Sequence, residues 1–404
     1  MIMATGSDVF PVMYPVAGFQ LGTVSAGIKT EGRSDLVLIA MAEGTNVAGV
    51  FTQNRFCAAP VTVAKQHLQH GQPRYMLINT GNANAGTGEQ GIADAQKCCS
   101  AVADSVNINA DAVLPFSTGV IGEPLPVDRL CSAVPAVVEQ LSEQGWQQAA
   151  TGILTTDTRP KGASIQCEIN GSKVTITGIC KGSGMIKPNM ATMLGFVATD
   201  ASIHPELLHR AVRLATEKSF NRITVDSDTS TNDAVILAAT GASGVEIDEN
   251  NFEQFLSQLS AVFVDLAQAI IRDGEGATKF VSVVVETAAD TSEALAVAYC
   301  IAESPLVKTA LTASDPNWGR ILAAIGRAGI DDLDVDQIKL SLNSVLIAEN
   351  GARAVSYTEE QGQQAMQPEE IEIRVQLNRG QVKETLWTTD LSYEYVRINA
   401  EYRT

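Results

Sequence analysis

Residues 181–196 have the sequence K-G-S-G-M-I-K-P-N-M-A-T-M-L-G-F. A glycine-rich, cationic loop is followed there by an apolar run that continues to Ala198. An apolar run of this length is typical of a strand buried on both faces. The sequence therefore predicts a buried strand, with a small residue, Ala191, and a hydroxyl residue, Thr192, at its mouth.

Thr192 stands where a nucleophile could be held rigidly. A Thr hydroxyl is almost entirely un-ionised at neutral pH, so it needs a base within hydrogen-bond reach. Cleavage of the bond between Ala191 and Thr192 would give Thr192 a free α-amine with a pKa of about 8, which can accept that proton. The same hydroxyl could make the cut by attacking the Ala191 carbonyl in an N-to-O acyl shift. An arbitrary Ala-Thr pair is more often an ordinary junction of loop and strand, so the hypothesis needs further residues.

The stretch resembles the self-cleavage motif of the ornithine acetyltransferases, also called glutamate N-acetyltransferases, of arginine biosynthesis. Several long motifs in order are far more specific than any one of them. Motifs that match this family occur along essentially the whole chain: N-T-G-N-A-N-A-G-T-G at 79–88, S-T-G-V-I-G at 117–122, T-T-D-T at 155–158, D-S-D-T-S-T-N-D at 226–233, D-G-E-G-A-T-K at 273–279, S-D-P-N-W-G-R at 314–320 and N-A-E-Y-R-T at 399–404.

The resemblance implies an α/β (α+β) fold with a layered α-β-β-α core, similar to that of the N-terminal nucleophile hydrolases. Mixed sheets flanked by helices agree with the sequence, in which strand and helix patterns do not alternate strictly as in a doubly wound parallel sheet. The resemblance also implies autocatalytic cleavage into an α chain, 1–191, and a β chain, 192–404. The two halves would form one interlocked unit, and two such pairs a heterotetramer.

An acyl transfer needs hydrogen-bond donors aimed at the developing oxyanion, and a Thr hydroxyl and a Gly N–H can supply them. Taken alone, the S-T-G at 117–119 would be interpreted as a turn. The family resemblance instead assigns Thr118 and Gly119 to the oxyanion hole that serves the nucleophile Thr192.

The resemblance assigns substrate binding to residues spread over the chain: Thr155, Lys181, Thr192, Glu275, Asn399 and Thr404. Lys181 could hold a substrate carboxylate or lower the pKa of the Thr192 α-amine, although many loop lysines are simply solvated. Glu275 lies between glycines, which allow close backbone approach, and its carboxylate could pair with a substrate ammonium. Asn399 offers both a donor and an acceptor to an amino-acid head group, in a tail that would ordinarily be frayed.

The composition restricts the class of protein. The net charge of −18 argues against nucleic-acid and anionic membrane partners, and no secretory signal or long uninterrupted apolar segment is visible. Seven cysteines at irregular spacing, without a C-x-x-C pair, favour reduced cytoplasmic thiols over disulfides or a zinc site. The four histidines show no metal-ligand spacing, so no metal is expected.

The periodicity of apolar residues predicts the following elements. Short strands joined by turns are expected over 34–65, and further strands at 74–79, 222–226, 234–239, 280–286, 371–377 and 384–389. Helices are expected over 90–106, 127–144, 204–219 and 252–271, the second kinked or shortened by Pro135. A hairpin is expected at 164–169 and 173–179, around Asn170-Gly171. The segment 252–271 is interrupted by polar residues and is interpreted as an amphipathic core helix.

The function expected from the resemblance is transfer of the acetyl group from N-acetylornithine to glutamate through an acetyl-Thr192 intermediate, without a metal or organic cofactor. Whether acetyl-CoA also serves as a donor stays open. The alternative is an aminopeptidase or amidase in which water accepts the acyl group, and a non-catalytic acidic scaffold or nucleotide-binding module is a third. A G-x-G-x-x-G at 86–91 does not follow its strand directly, and a calcium-loop pattern from Asp226 lacks its glycine and final glutamate.

Overall fold

The apolar run that follows residue 193 folds as predicted. The structure is a computed structural model that describes residues 4–28, 32–187 and 193–401. Leu194–Thr199 is a strand whose six residues are all buried, which confirms the predicted element. Ala191, Thr192 and Thr404 lie outside the described residues.

Strands and helices follow one another irregularly along the chain. The strands are β1 (Phe19–Val24), β2 (Leu36–Met41), β3 (Asn46–Phe51), β4 (Tyr75–Asn82), β5 (Val113–Val120), β6 (Lys161–Ile169), β7 (Ser172–Lys181), β8 (Leu194–Thr199), β9 (Ser202–Ile203), β10 (Ile223–Thr224), β11 (Ala234–Ala239), β12 (Glu246–Ile247), β13 (Phe280–Ala288), β14 (Lys339–Leu342), β15 (Val345–Glu349), β16 (Ala352–Arg353), β17 (Glu370–Gln376) and β18 (Val382–Thr389). The α-helices are α1 (Ala59–His70), α2 (Gly88–Val106), α3 (Val127–Glu139), α4 (Trp146–Gly152), α5 (Pro205–Glu217), α6 (Phe252–Arg272), α7 (Thr291–Ala302), α8 (Pro305–Thr312), α9 (Trp318–Gly326), α10 (Glu359–Ala365) and α11 (Tyr393–Glu401).

The chain divides into two compact units by its internal contacts. The described part of the larger unit comprises residues 8–28, 32–187, 193–221 and 228–270. The described part of the smaller unit comprises residues 4–7, 222–227 and 271–401. Each unit therefore joins segments that are distant in the sequence, and neither is a continuous half of the chain.

Two mixed sheets form the centre of the larger unit. The first sheet has the strand order β1-β2-β4-β5, in which β4 and β5 are parallel and the other neighbours antiparallel. The second sheet has the order β3-β11-β8-β7-β6, in which β8 is parallel to β11 and antiparallel to β7. The strand after residue 193 is thus the middle strand of the second sheet, which explains why both of its faces are buried.

The two sheets pack face to face. Buried side chains of β1, β2, β4 and β5 share one apolar core with those of β7, β8 and β11. Phe116 of β5 meets Phe196 of β8 edge to face, with ring centroids 5.2 Å apart, an arrangement that aromatic quadrupoles favour. This shared core holds the two sheets together.

Helices cover the outer face of each sheet. On the first sheet, Cys99 and Val102 of α2 and Leu130 of α3 pack against Leu38 of β2. On the second sheet, α5 packs against β3 and β11, and Gly178 of β7 leaves room for a side chain of α6. The order of layers is helix, sheet, sheet, helix, so the predicted α-β-β-α core is confirmed.

The smaller unit has one mixed sheet of its own. Its strand order is β10-β18-β13-β17-β14-β15-β16, with β13 parallel to β17 and antiparallel to β18. Val283, Ile373 and Leu386 of this sheet share an apolar core with Val297 and Ile301 of α7. The predicted strands at 280–286, 371–377 and 384–389 are therefore confirmed as β13, β17 and β18.

Local sequence signals were reliable where they were strong. The Asn170-Gly171 hairpin is present, and both residues have the positive φ that a tight primed turn requires, 51° and 77°. The helices predicted at 90–106, 204–219 and 252–271 correspond to α2, α5 and α6.

Three predicted elements were wrong in type or extent. Residues 59–65 belong to α1 rather than to short strands, because Pro60 stands in the first turn, where its missing N–H costs no helical bond. The helix predicted to residue 144 ends at Glu139, since Ser142 exchanges backbone hydrogen bonds with Leu21 of β1. The strand predicted at 222–226 is reduced to β10.

Helix α6 is long and apolar enough to cross a membrane by length and composition alone, and α7 with α8 passes the same test only as a pair bent by 57°. In the folded chain, however, Phe255, Leu259 and Phe263 of α6 are fully buried. Phe263 also packs against the ring of Phe220 with the centroids 5.5 Å apart. The helix is therefore part of the protein core, as its interrupted apolar pattern predicted.

Replacing Phe196 with Ala tests the contact between the two sheets. Phe196 is fully buried, so we expect Phe196→Ala to lower the free energy of unfolding by about 3–5 kcal/mol, the range for large cavities in cores. Phe56→Ala is the control, because that side chain is 74% exposed and should change stability by less than about 0.5 kcal/mol. Thermal melting of both variants beside the parent measures the difference, and equal melting temperatures would contradict the shared core.

Candidate active site

The end of β5 lies unusually close to the backbone of β4. The register between these strands is irregular at Gly81 and Asn82, opposite Gly119, and Gly119 has a φ of +137°. A Cβ atom on Gly119 would lie 2.3 Å from the carbonyl carbon of Gly81, a distance that no real side chain adopts. The strand can therefore end in this conformation only with glycine at 119. The S-T-G at 117–119, which local signals would give as a turn, is instead the end of a strand.

Two buried amides fix the residue before Thr118. The Ser117 hydroxyl donates to Asn79 Oδ1 at 2.6 Å. Asn232 Nδ2 donates to the Ser117 carbonyl at 2.9 Å and to the Ala83 carbonyl at 2.6 Å. Polar groups that are buried and fully bonded in this way rigidify their surroundings. Asn79 and Asn232 received no role from the sequence, although both lie within motifs that carried the family resemblance.

Gly91, the last glycine of the G-x-G-x-x-G pattern, packs against the asparagine loop. Gly91 lies inside α2, and a Cβ atom there would be 2.6 Å from Asn84 Oδ1. Asn84 Nδ2 also donates to the Gly91 carbonyl at 2.9 Å. The pattern therefore reflects close packing of the asparagine loop on the helix.

Lys181 contacts two other residues predicted for the site, Thr118 and Thr155. It is the last residue of β7, and its side chain is only 6% exposed. Its ammonium donates to Thr155 Oγ1 at 2.7 Å and to Thr118 Oγ1 at 3.3 Å. Lys181 is thus not a solvated loop lysine but a buried cation that contacts the predicted oxyanion donor.

Asp157 is a buried carboxylate that sequence reasoning gave no role. Its side chain is fully buried and lies 2.6 Å from Lys161 Nζ and 3.8 Å from Lys181 Nζ. It also accepts hydrogen bonds from the backbone N–H of Gly182, at 2.7 Å, and of Thr155, at 3.0 Å. Burial pushes the pKa of Asp157 upward, but the charges of the two lysines and these hydrogen bonds outweigh it and hold the pKa well below its usual range.

The start of β8 is held from two sides. The Met193 N–H donates to Asp233 Oδ1 at 2.7 Å, and Leu194 is paired with Lys181 on one side and Ala234 on the other. The position before Met193 in the sequence is Thr192, which lies outside the described residues. Asp233 closes the D-S-D-T-S-T-N-D motif, so the signal for it was present without an assignable role.

Within the smaller unit, Glu275 and Asn399 come together. Glu275 is 8% exposed, and Asn399 Nδ2 of α11 donates to its Oε2 at 2.7 Å. Gly276, with a φ of +69°, approaches α11 so closely that a Cβ atom would lie 2.5 Å from Tyr395 N. The contact between the 273–279 loop and α11 therefore depends on glycine, and it orders a tail that would otherwise be expected to fray.

Other candidate ligands are not gathered into a site. Across the described ranges, no group of three or more His, Cys, Asp and Glu side chains could hold a metal ion. All seven cysteines lie in those ranges and are free thiols.

Comparison with known proteins gives a consistent set of relatives. The ArgJ family model matches residues 20–404. The arginine biosynthesis bifunctional protein ArgJ of Pseudomonas fluorescens is 57% identical over 406 residues, which cover all of both chains. The protein of the same name from Methylococcus capsulatus is 56% identical over 393 residues, 96% of each chain.

Two solved structures are similar over part of the chain. The crystal structure of arginine biosynthesis bifunctional protein argJ from Bacillus halodurans is 39% identical, covers 51% of this chain and 98% of its own, and has a TM-score of 0.49. Ornithine acetyltransferase from Mycobacterium tuberculosis, complexed with ornithine, is 36% identical, covers 43% of this chain and 93% of its own, and has a TM-score of 0.38.

The full-length matches define a biosynthetic enzyme of the acyltransferase class. The chain belongs to the ArgJ family. The family predicted from the motifs is thereby confirmed.

Gly119→Ala tests whether the close approach of β4 and β5 is required. We expect about 1–3 kcal/mol of overpacking in addition to about 1–3 kcal/mol of backbone strain, with loss of most activity because the Thr118–Gly119 segment must move. Gly122→Ala is the matched control, since it has a φ of +82° but no described atom within 4 Å of the added Cβ. Melting temperature and acetyl-transfer rate are measured for both. Equal losses in the two variants would contradict the role of the close contact.

Proposed function

We propose that the chain transfers the acetyl group of N-acetylornithine to glutamate through an acetyl-Thr192 intermediate. The observation that carries the proposal is the contact of Lys181 with Thr118 and Thr155 at the point where β7 is paired with the start of β8. Residues that the family resemblance assigns to oxyanion stabilisation and substrate binding are therefore neighbours in the fold. Full-length relatives named as bifunctional proteins of arginine biosynthesis support the same activity.

The proposed reaction begins with cleavage between Ala191 and Thr192. The free α-amine of Thr192 then takes the proton of its own hydroxyl, which attacks the acetyl carbonyl of N-acetylornithine. Thr118 and the N–H of Gly119 stabilise the oxyanion of the tetrahedral intermediate. Ornithine leaves with its amine restored, and glutamate attacks the acetyl-Thr192 ester to form N-acetylglutamate and regenerate the enzyme.

The proposed binding roles have different support. For Lys181 and Thr155, the support is the burial of Lys181 and its hydrogen bond to Thr155, which place a cation and a hydroxyl side by side, suited to a substrate carboxylate. For Glu275 and Asn399, it is the family resemblance together with their contact within the smaller unit. The role of Thr404 rests on the resemblance alone.

The proposed chains, 1–191 and 192–404, would share one sheet. Strands β3, β6 and β7 precede the bond between Ala191 and Thr192, whereas β8 and β11 follow it, and all five are hydrogen-bonded in the second sheet. Such a sheet would keep the cleaved chains associated through its backbone ladder. A heterotetramer of two pairs, a cytoplasmic location and a reaction without a cofactor belong to the same proposal and rest on the family resemblance.

An acyl-enzyme can also be hydrolysed, which would make the chain an amidase or aminopeptidase. The family to which the chain belongs favours transfer to an amine. The two reactions differ in one measurable property, because only transfer requires glutamate for turnover.

Incubation of the enzyme with N-acetylornithine alone should leave one acetyl group on the 192–404 chain. The acetyl-Thr192 ester accumulates because its acceptor is absent, and addition of glutamate should discharge it, with N-acetylglutamate as the product. Intact-mass measurement before and after glutamate follows both steps. Discharge at the same rate without glutamate would favour hydrolysis, and an unmodified 192–404 chain would contradict the covalent route.

Acetyl-CoA as the sole donor tests the bifunctional activity. If it is accepted, the same acetylated 192–404 chain should form with release of CoA, since both donors would share the Thr192 nucleophile. Thr192→Ala is the control and should abolish acetylation by either donor. Acetylation by acetyl-CoA that persists in Thr192→Ala would contradict a shared site.

A further inference from the structure

Asp157, Lys161 and Lys181 form a buried ion cluster, of which only Lys181 has a role in the proposed reaction. The exposed fractions of the three side chains are 0%, 1% and 6%. Ionised groups are almost never buried to this extent unless they are paired. In the described contacts, the Asp157 carboxylate faces both lysine cations at the end of β7.

The position of Lys181 depends on Asp157 through the backbone as well as through charge. Asp157 Oδ1 accepts from the N–H of Gly182, the residue after Lys181, and Oδ2 accepts from the N–H of Thr155. Thr155 is itself the 2.7 Å partner of the Lys181 ammonium. One carboxylate therefore fixes both the chain that carries the lysine and the hydroxyl that receives its hydrogen bond.

The protonation of Lys181 determines what Thr118 can do. An ammonium has three donors and no acceptor, so in the 3.3 Å contact Lys181 donates and Thr118 Oγ1 accepts. The hydrogen of the Thr118 hydroxyl is then directed away from Lys181. A neutral amine at the same place could accept that hydrogen, and Thr118 would lose its role as an oxyanion donor.

We infer that Asp157 is a positioning residue for the oxyanion donor Thr118: it keeps Lys181 charged and in place, so that the Thr118 hydroxyl points its hydrogen toward the reacting carbonyl. The inference rests on the proposed function. It gives Asp157 and Lys161 a part in the reaction, although neither contacts Thr118 in the described hydrogen bonds.

In the described contacts, cations approach Asp157 and its neighbours from several segments. Lys161 approaches Asp157 from β6, and Arg33 donates to the carbonyl groups of Leu154 and Thr155. Arg159, whose carbonyl also accepts from Lys161, is paired with the exposed Asp8. Loss of the Asp157 charge would remove an attractive charge 3.8 Å from Lys181 while the cation of Lys161 remains, and such a change lowers the pKa of a lysine.

The test is the rate of acetyl-enzyme formation from saturating N-acetylornithine without glutamate, measured by intact mass from about pH 6 to about pH 10, around the ordinary lysine pKa. In the parent, no loss is expected up to about pH 9, which lies below the ordinary pKa of a lysine. In Asp157→Asn, the pKa of Lys181 should be lower, so the rate should equal that of the parent at low pH and fall below it as the pH rises. At pH 9 we expect a reduction of about 10–100-fold, which is smaller than the effect of removing an oxyanion donor completely. A rate that falls equally at every pH would overturn the inference.

A double-mutant cycle shows whether Asp157 acts through Thr118. Thr118→Val should slow the reaction by about 100-fold. Adding Asp157→Asn to this variant should change the rate at saturating substrate by less than about threefold, with no further decrease at high pH. The reason is that the oxyanion donor, through which Asp157 acts, is already absent. Additive effects would overturn the inference. Saturating substrate separates this effect from weaker binding by Lys181, which would appear in the concentration dependence instead.

Two further variants serve as a control for specificity and as a substitute if Asp157→Asn does not fold. Asp200→Asn removes a carboxylate that accepts from the Thr175 N–H at 2.8 Å, and it should leave the pH profile unchanged; a matching alkaline loss would contradict a specific role for Asp157. If Asp157→Asn does not fold, the cycle is run with the double variant Asp157→Asn/Lys161→Met, which removes both members of the ion pair. Its effect on the rate is again expected to disappear when Thr118→Val is also present. Absence of acetylation in the parent would refute the proposed function, whereas a normal parent with an additive cycle would refute only the role of Asp157.

Discussion

The ladder between β7 and β8 is the constraint on which the larger unit depends. It places Lys181 opposite Leu194, so the cation of the site and the start of the middle strand of the second sheet are neighbours. Side chains alternate between the faces of a sheet, and a slip of one residue would turn Lys181 to the opposite face. The buried apolar faces of β8 oppose such a slip, because the slip would disturb the core shared by both sheets. Packing of the sheets thus sets the geometry of the polar site.

The buried lysines described at the site contrast with the negative charge of the whole protein. The chain has a net charge of −18, which gives no long-range attraction for an anionic amino acid. Salt screens exposed charges beyond about 8–10 Å, whereas the buried cluster of Asp157, Lys161 and Lys181 is screened much less. Binding of a carboxylate would therefore depend on the cation that this cluster holds. The Asp157 carboxylate lies between two lysines and stabilises both cations.

The sequence predicted the elements whose signals are local and missed the features that arise from long-range contacts. The strand after residue 193, the Asn170-Gly171 hairpin and helix α6 were predicted because their residues carry a period or a turn preference of their own. Strand β5 was missed, because its end is shaped by parallel pairing with β4 and by glycine contacts that no local pattern shows. The helix α1 was interpreted as strands because its Val-Thr-Val segment outweighed the signal of Pro60.

The same distinction applies to the site. The motifs identified Thr118, Thr155 and Lys181, and the fold brings them together across 63 positions of sequence. Asp157, Asn79 and Asn232 had no assignable role because their described contacts are hydrogen bonds and ion pairs to other residues of the chain, which no motif reveals. Residues predicted to touch a substrate can be matched from motifs, whereas the buried groups that contact them require coordinates.

In the proposed mechanism, cleavage before Thr192 creates the base that activates its own hydroxyl. N-terminal sequencing combined with intact-mass analysis of freshly purified, fully active protein measures whether that cleavage has occurred. Two chains are expected, one of which begins with Thr192. A single uncleaved polypeptide of 42.8 kDa that turns over at the full rate would contradict it.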